Sequence, residues 1–187
     1  TKYFEELGGE VLAHETYIAG QTADHTPVLS TLKEYNADVL YIGAPYNDLA
    51  TIVSQARRLE FDCEIMGSGN NFKKEMIDIA GDAANGMYAC QNFDRNSTDP
   101  KYVAFAEKYA EKVSPVMDQQ AVQMYDMVSM WAEGVRQFGP DKEKVNAYLR
   151  NITDYQGING TVTVIDGTPQ KTMFQITVQD GEIVCLG

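Results

Sequence analysis

Three observations predict that this chain has an α/β fold with a mainly parallel sheet. Short apolar runs alternate with amphipathic helical patterns between residues 9 and 91, which is the order of strands and helices expected of βαβ units. The apolar run Val39–Ile42 shows no polar alternation, as is typical of a strand buried on both faces of a parallel sheet. Polar loops follow this strand and the next one, and the carboxyl ends of parallel strands share the sheet edge at which small ligands usually bind.

The elements before that strand are predicted from their end signals. Phe4 and Leu7 precede two glycines and resemble the last turn of a helix, so we expect the chain to be part of a longer polypeptide. Residues 10–16 form the first predicted strand. A helix follows it, with Thr26 as the cap and Pro27 at the first helical position.

The central unit is predicted to run strand, helix, strand. Its helix carries apolar residues at three- and four-residue steps over residues 49–59, and Asn47 or Asp48 can cap it. A second strand, residues 63–66, runs into a loop of glycine, serine and asparagine at residues 67–71. This order predicts a βαβ unit whose two polar loops lie at the same edge of the sheet.

The pattern changes after residue 91, because a polar loop leads to helices with no strand between them. The predicted helices span residues 73–80, 102–113, 119–138 and 142–151, and the predicted strands span residues 86–90, 160–165, 173–178 and 183–185. We expect a turn at residues 166–169 to join strands 160–165 and 173–178 into a hairpin.

Composition and charge exclude several classes of protein. The formal net charge is −12, and a chain without a basic face is not expected to bind nucleic acid. No apolar run approaches the roughly 20 residues that cross a bilayer, and residues 1–7 do not resemble a signal peptide. The cysteines have neither metal-site spacing nor an even count, so each is predicted to be a small buried apolar residue. They are Cys63, Cys90 and Cys185.

No catalytic, metal or cofactor site is predicted. The chain has two histidines, and no serine lies in a G-x-S-x-G motif. The glycines of residues 67–71 lack the third glycine of a dinucleotide-binding loop and the Gly-Lys pair of a P-loop. Paired carboxylates lie on amphipathic helices and are interpreted as solvated faces. An enzyme is therefore not the expected class.

The two polar loops supply the candidate ligand-binding residues. They are Tyr46 and Asn47 after the first strand of the unit, and Ser68, Asn70 and Asn71 after the second. An aromatic side chain beside amides can form a stacking wall with hydrogen-bonding neighbours, or it can belong to an ordinary surface loop with a helix cap. Loop position alone leaves these two interpretations open.

Four segments of the chain carry a resemblance to one protein family. Residues 32–39 read LKEYNADV, residues 43–57 read GAPYNDLATIVSQAR, residues 79–86 read IAGDAANG and residues 157–163 read GINGTVT. Together these segments resemble the type I solute-binding proteins of ABC importers, of the leucine/isoleucine/valine-binding class.

The resemblance implies a type I periplasmic binding protein fold, in which two Rossmann-like α/β lobes enclose a ligand. The chain would be the C-terminal part of such a protein, with a largely complete second lobe and a first lobe represented only by helices. Residues 1–91 would form the second-lobe α/β subdomain, residues 92–156 a helical segment of the first lobe, and residues 157–187 strands that return to the second lobe.

The resemblance also assigns roles to residues of the two loops. The family's aromatic wall falls at Pro45 or, with a one-residue slip, at Tyr46, and a second ligand loop maps to residues 68–71. Amino-acid binders of the family carry an acidic residue in that loop, and it pairs with the ligand ammonium. Gly69 stands there in this chain, so we expect leucine and valine to bind poorly.

The implied function is capture of a small polar solute, such as an amino acid or an amide, in the periplasm or at the cell surface and its transfer to an ABC permease. A ligand-sensing domain of a signalling receptor is the alternative, and a Rossmann-like enzyme fragment is a weaker one. One apolar helix face would need cover from the missing first lobe or from self-association. That face consists of Met124, Tyr125, Val128, Trp131, Val135 and Phe138.

Overall fold

A computed structural model describes residues 2–158 and 160–186 of the chain. Its seven described helices are α1 (Lys2–Glu6), α2 (Thr26–Lys33), α3 (Tyr46–Arg58), α4 (Lys74–Ala80), α5 (Pro100–Lys112), α6 (Gln119–Phe138) and α7 (Lys142–Arg150). Its described strands are β1 (Val39–Ile42), β2 (Glu64–Gly67), β3 (Tyr88–Gln91), β4 (Tyr155–Gly157), β5 (Gly160–Ile165), β6 (Thr168–Gln170), β7 (Phe174–Gln179) and β8 (Glu182–Cys185). Short 3-10 turns span Gly69–Asn71 and Gly81–Ala84.

The chain divides into two compact units, and each is described by itself. The first unit contains the residues up to Ala89 together with Ile176–Leu186, and the second unit contains Cys90–Gln175. Residues 157–175 therefore cluster with the helices α5 to α7. The assignment of segments to the lobes of a complete protein stays a prediction.

The first unit is built on a five-stranded mixed sheet with the order β1-β2-β3-β7-β8. Strands β1, β2 and β3 run parallel, and Ile42 at the end of β1 pairs with Gly67 at the end of β2. Strands β7 and β8 form an antiparallel hairpin, with a turn at Asp180 and Gly181 whose φ angles are both positive. The α/β class predicted from the sequence is confirmed.

Helix α3 supplies much of the core of the first unit. Its side chains Leu49, Val53 and Ala56 are fully buried because they recur at three- and four-residue steps and so form one apolar stripe. They pack in a cluster with strand residues such as Ile65 and Ile176. Burial of each Leu, Ile or Val side chain stabilises the fold by about 1.5–3 kcal/mol.

The second unit packs α5, α6 and α7 with a three-stranded antiparallel sheet of order β4-β5-β6. A small apolar cluster of Phe93, Tyr102, Val122 and Ile158 forms one part of its core. Among the described residues, no helix of either unit is long and apolar enough to cross a membrane.

One strand predicted near the start of the chain is absent, and a second has the predicted bounds but not the predicted burial. Residues 10–16 carry no regular secondary structure, and none of them, Val11 and Leu12 included, is buried, so this segment lacks the buried apolar face that holds a strand in a sheet. Strand β1 is not buried on both faces, since it is an edge strand of the described sheet and Val39 and Tyr41 are exposed on one of its faces.

The predicted hairpin between strands 160–165 and 173–178 is also wrong. Strand β5 pairs instead with β6, through Ile165 and Thr168, while β7 joins the large sheet of the first unit. Asp166 and Gly167 between β5 and β6 have φ angles of 50° and 77°. Two successive positive φ angles are those of a type I′ turn, which returns the chain at once into an adjacent strand.

The cysteines differ from the prediction as well, because none is buried. Cys90 is exposed, Cys63 and Cys185 are half-buried, and all three thiols are free. Partial burial raises the pKa of the Cys63 thiol, which keeps that sulfur in its less reactive protonated form.

Candidate functional site

The two polar loops begin at neighbouring strand ends in the first unit. Ile42 and Gly67 are paired across β1 and β2, and the backbone N–H of Ser68 donates to the carbonyl of Ile42 at 3.3 Å. Residues 43–47 and 68–73 therefore start at one edge of the sheet, at the carboxyl ends of its parallel strands. We call the edge formed by these two segments the loop edge.

Helix α3 starts at the loop edge with Tyr46 as its first residue. Pro45 occupies the N-cap position, and no side chain caps the helix there, so the predicted cap at Asn47 or Asp48 is wrong. The reason is that Pro45 already provides an extended residue before the helix, and its carbonyl accepts the N–H of Leu49 at 2.8 Å. The first N–H groups of an uncapped helix remain available to a polar partner.

The second loop is compact because a glycine begins it. A Cβ atom added at Gly67 would lie 3.0 Å from the Phe72 ring and 3.1 Å from a methyl group of Leu49. A larger residue would therefore push the loop away from α3. Residues 69–71 form a 3-10 turn, and the amide nitrogen of Asn71 lies 3.5 Å from the hydroxyl of Ser68.

A cation joins the two loops. Lys73, which precedes α4, places its Nζ atom 3.9 Å from the centroid of the Tyr46 ring. Such a cation–π contact is worth about 0.5–2 kcal/mol, depending on how far the ammonium is desolvated. Lys73 is not among the residues predicted from the sequence, in which its place at the end of a polar loop is the only signal for it.

A third loop, residues 17–25, is held to α3 by the carboxylate of Asp48. Asp48 is 7% exposed, and its Oδ2 atom accepts the backbone N–H of Gly20 at 3.0 Å. Burial, together with the neighbouring Asp48 carboxylate, raises the pKa of Tyr17 to about 12. The Gln55 side chain accepts the backbone N–H of His25 at 2.7 Å, so the loop is fixed at two points along α3.

The structure brings the five predicted ligand residues to the loop edge. Tyr46, Ser68 and Asn71 are half-buried, whereas Asn47 and Asn70 are exposed. Their role in binding stays a prediction. The sequence did not predict that Asp48 is buried and bonded to another loop, because that contact joins residues 28 positions apart.

Two surface depressions of the described residues lie away from the loop edge, one around residues 151–156 of the second unit and one around residues 77–85 of the first. Within the described residues, no group of three or more His, Cys, Asp and Glu side chains is arranged to hold a metal ion.

Comparison with known proteins identifies relatives of this chain. It is 29% identical over 155 residues to the leucine-, isoleucine-, valine-, threonine- and alanine-binding protein of Pseudomonas aeruginosa, a match that covers 81% of this chain and 40% of the relative. The chain therefore spans less than half the length of that relative.

Two solved structures are similar over almost the whole chain. A leucine-binding protein from Thermotoga maritima has a TM-score of 0.88 and 25% identity, over 100% of this chain and 53% of the other. A branched-chain amino acid transporter substrate-binding protein from Streptococcus pneumoniae, solved with isoleucine, has a TM-score of 0.82 and 26% identity, over 97% of this chain and 53% of the other.

A family model described as a periplasmic binding protein matches residues 1–182, which is nearly the full length of the chain. The resemblance inferred from the four sequence segments is thereby confirmed, together with the type I fold. This chain belongs to the periplasmic binding protein family.

Proposed function

We propose that the protein is an extracytoplasmic receptor that captures a small polar solute between the two lobes of the complete polypeptide. It then delivers the solute to an ABC permease in the membrane. The observation that carries this proposal is the loop edge, where two polar loops and the start of α3 meet at paired strand ends in a chain of this family. The names of the relatives describe amino-acid binding and transport, and we propose that the solute is an amino acid, an amide or a related molecule.

Each predicted residue has a definite part in this proposal. Tyr46 presents an aromatic ring against which an apolar part of the solute packs. Asn47, Asn70 and Asn71 carry amides that can both donate and accept hydrogen bonds, and Ser68 adds a hydroxyl. Closure of the lobes would exclude water and strengthen these polar contacts.

The proposal requires no chemical step from the protein. The relatives are named as binding proteins, and the residues at the loop edge are suited to holding a solute rather than to transferring a proton or attacking a bond. We therefore propose a receptor and not an enzyme.

The apolar face of α6 fits a role as an internal surface of the complete protein. Met124, Tyr125, Val128 and Trp131 are each about half exposed, and Val135 and Phe138 are half-buried. An apolar strip of this size usually marks an interface. We propose that the first lobe of the complete protein covers it, or that two chains cover it by self-association.

A thermal-shift screen of the complete polypeptide tests the receptor function. Amino acids, amides, carboxylates, amines and sugars are each added in excess, because a ligand at about 100 times its dissociation constant stabilises the folded state by roughly 2.7 kcal/mol. We expect one chemical class to raise the melting temperature. Stabilisation by no class would contradict the proposal.

A pair of tyrosine variants then locates the site. Tyr46→Ala removes the ring at the loop edge, whereas Tyr35→Ala removes an exposed ring after α2 in the same unit. Calorimetric titration with the solute found in the screen should show at least a tenfold loss of affinity for Tyr46→Ala alone. Equal affinities of both variants would place the solute elsewhere.

A further inference from the structure

The loop edge carries a charge that points to the class of solute. We propose that Lys73, held on the Tyr46 ring at the junction of the two loops, binds a carboxylate of a solute that has no ammonium group beside that carboxylate. This inference rests on the proposed receptor function and specifies its ligand.

The ammonium of Lys73 lies against an aromatic ring and not beside an acid. The Tyr46 ring lies 3.9 Å from the Nζ atom, and Lys73 is half-buried. Within the described residues, no carboxylate oxygen lies within 4 Å of that nitrogen. A π face attracts a cation but does not neutralise it, so the ammonium remains able to pair with an anion.

The acidic side chains close to Lys73 in the sequence and at the loop edge do not pair with it. Asp48 is buried and accepts the N–H of Gly20, and Glu75 is exposed in the first turn of α4. Lys74 pairs with Asp78 at 2.7 Å on the exposed side of the same helix. None of these carboxylates pairs with Lys73 in the described structure, so a solute ammonium placed beside Lys73 would meet a like charge, and burial of an unpaired charge is unfavourable.

The direction of α3 also favours a negatively charged solute at the loop edge. The 13-residue helix starts at the loop edge without a side-chain cap, and the start of a helix carries partial positive charge. This effect adds to the field of Lys73, which alone carries the proposal.

A matched set of compounds tests the inference on the complete polypeptide. The probes are 4-methylpentanoate, pentanoate and phenylacetate, each measured beside its amide and its 2-amino acid. Within each set the apolar part is constant, so that only the charged group changes. We expect a carboxylate to bind more than tenfold more tightly than its amide and its amino acid, with an affinity that weakens as salt increases.

Charge variants separate Lys73 from its neighbour. Lys73→Gln should lower the affinity for the carboxylate about ten- to a hundredfold, which is the range for loss of a hydrogen bond to a charged group. Lys73→Arg should retain most of it. Lys74→Gln removes the same charge one residue away and should leave affinity unchanged.

The outcomes distinguish this inference from the receptor function. Tighter binding of the amino acid or the amide than of the carboxylate, or carboxylate binding that survives Lys73→Gln, would overturn the inference. The same holds if no carboxylate binds and the wider screen finds a neutral or ammonium solute, although the receptor function would then stand. Binding of no solute of any class would overturn both.

Discussion

Removal of the Asp126 carboxylate should destabilise the second unit strongly, because it would leave a lysine charge buried without a partner. Asp126 is 2% exposed, and its Oδ2 atom lies 3.2 Å from the Lys171 ammonium, whose side chain is only 9% exposed. The other oxygen, Oδ1, accepts the backbone N–H of Ile158 at 2.8 Å. One carboxylate on α6 thus satisfies both a buried cation and the turn after β4.

The size of the effect follows from these two contacts. Loss of one partner from a buried ion pair costs about 3–5 kcal/mol, and loss of an ordinary hydrogen bond costs about 1 kcal/mol more. Asp126→Asn keeps an oxygen for Ile158 and loses only the charge, so we expect about 3–5 kcal/mol. Asp126→Ala loses both contacts and should be worse.

Urea unfolding and amide hydrogen exchange would measure these costs separately. The urea midpoint reports the loss of the ion pair in both variants, whereas exchange at the Ile158 amide should accelerate much more in Asp126→Ala than in Asp126→Asn. The double variant Asp126→Asn with Lys171→Met removes both charges. It should be more stable than the sum of its single changes predicts.

An exposed ion pair provides the control. Lys74 and Asp78 are 2.7 Å apart with side chains 59% and 57% exposed, so Asp78→Asn should change the urea midpoint very little. If Asp126→Asn were as mild as Asp78→Asn, the buried pair would contribute nothing specific. Our estimate from burial would then be refuted.

Two further predictions concern α7 and α6. Asp141 caps α7 by accepting the backbone N–H groups of Lys144 and Glu143 at 3.1 Å. The bonds from the Lys144 backbone and ammonium, with a smaller effect of the Glu143 N–H, hold the pKa of the Asp141 carboxyl below its ordinary value of 3.8. The contribution of this cap to stability is therefore present above pH 3.8 and is lost as the pH falls through the lower pKa of the folded state. An NMR titration should show that α7 frays only in acid. If the order of α7 did not change with pH, the prediction would be contradicted. The 187-residue chain should self-associate or bind a hydrophobic dye through the exposed apolar face of α6. The double variant Val128→Asp with Trp131→Glu should abolish both the association and the dye binding. If light scattering shows a monomer and fluorescence shows no bound dye for the unchanged chain, this prediction is contradicted.

The bounds of a helix could be predicted where the signals for them lie in the sequence close to its ends. Helix α6 has the bounds predicted for it, Gln119 to Phe138, because an apolar stripe runs its whole length between two end signals. Asp118 caps the helix by accepting the N–H of Ala121, and Gly139 follows it with a positive φ. Periodicity and caps act within a few residues, so the sequence is sufficient to place them.

The pairing of the last strands could not be predicted from periodicity, because alternation does not name a partner. The segments at residues 160–165 and 173–178 both have apolar alternation, and the prediction joined them across the Asp166-Gly167 turn. That turn instead returns the chain into the three-residue strand β6. A strand of three exposed residues has no apolar pattern to detect.

The loop edge shows why a nearby acid need not be the group that binds a ligand. Asp48 follows Tyr46 and Asn47 directly, yet its carboxylate is buried and is bonded to the loop at Gly20. It thereby fixes the third loop against α3 and leaves the surface charge of the edge to other residues. Amides can act as donors and as acceptors, so the asparagines do not favour one sign of ligand charge. Lys73, on the ring of Tyr46, is the residue at this edge whose charge favours an anionic ligand. The contact joins residues 46 and 73 across two loops, and no local sequence pattern could have predicted it.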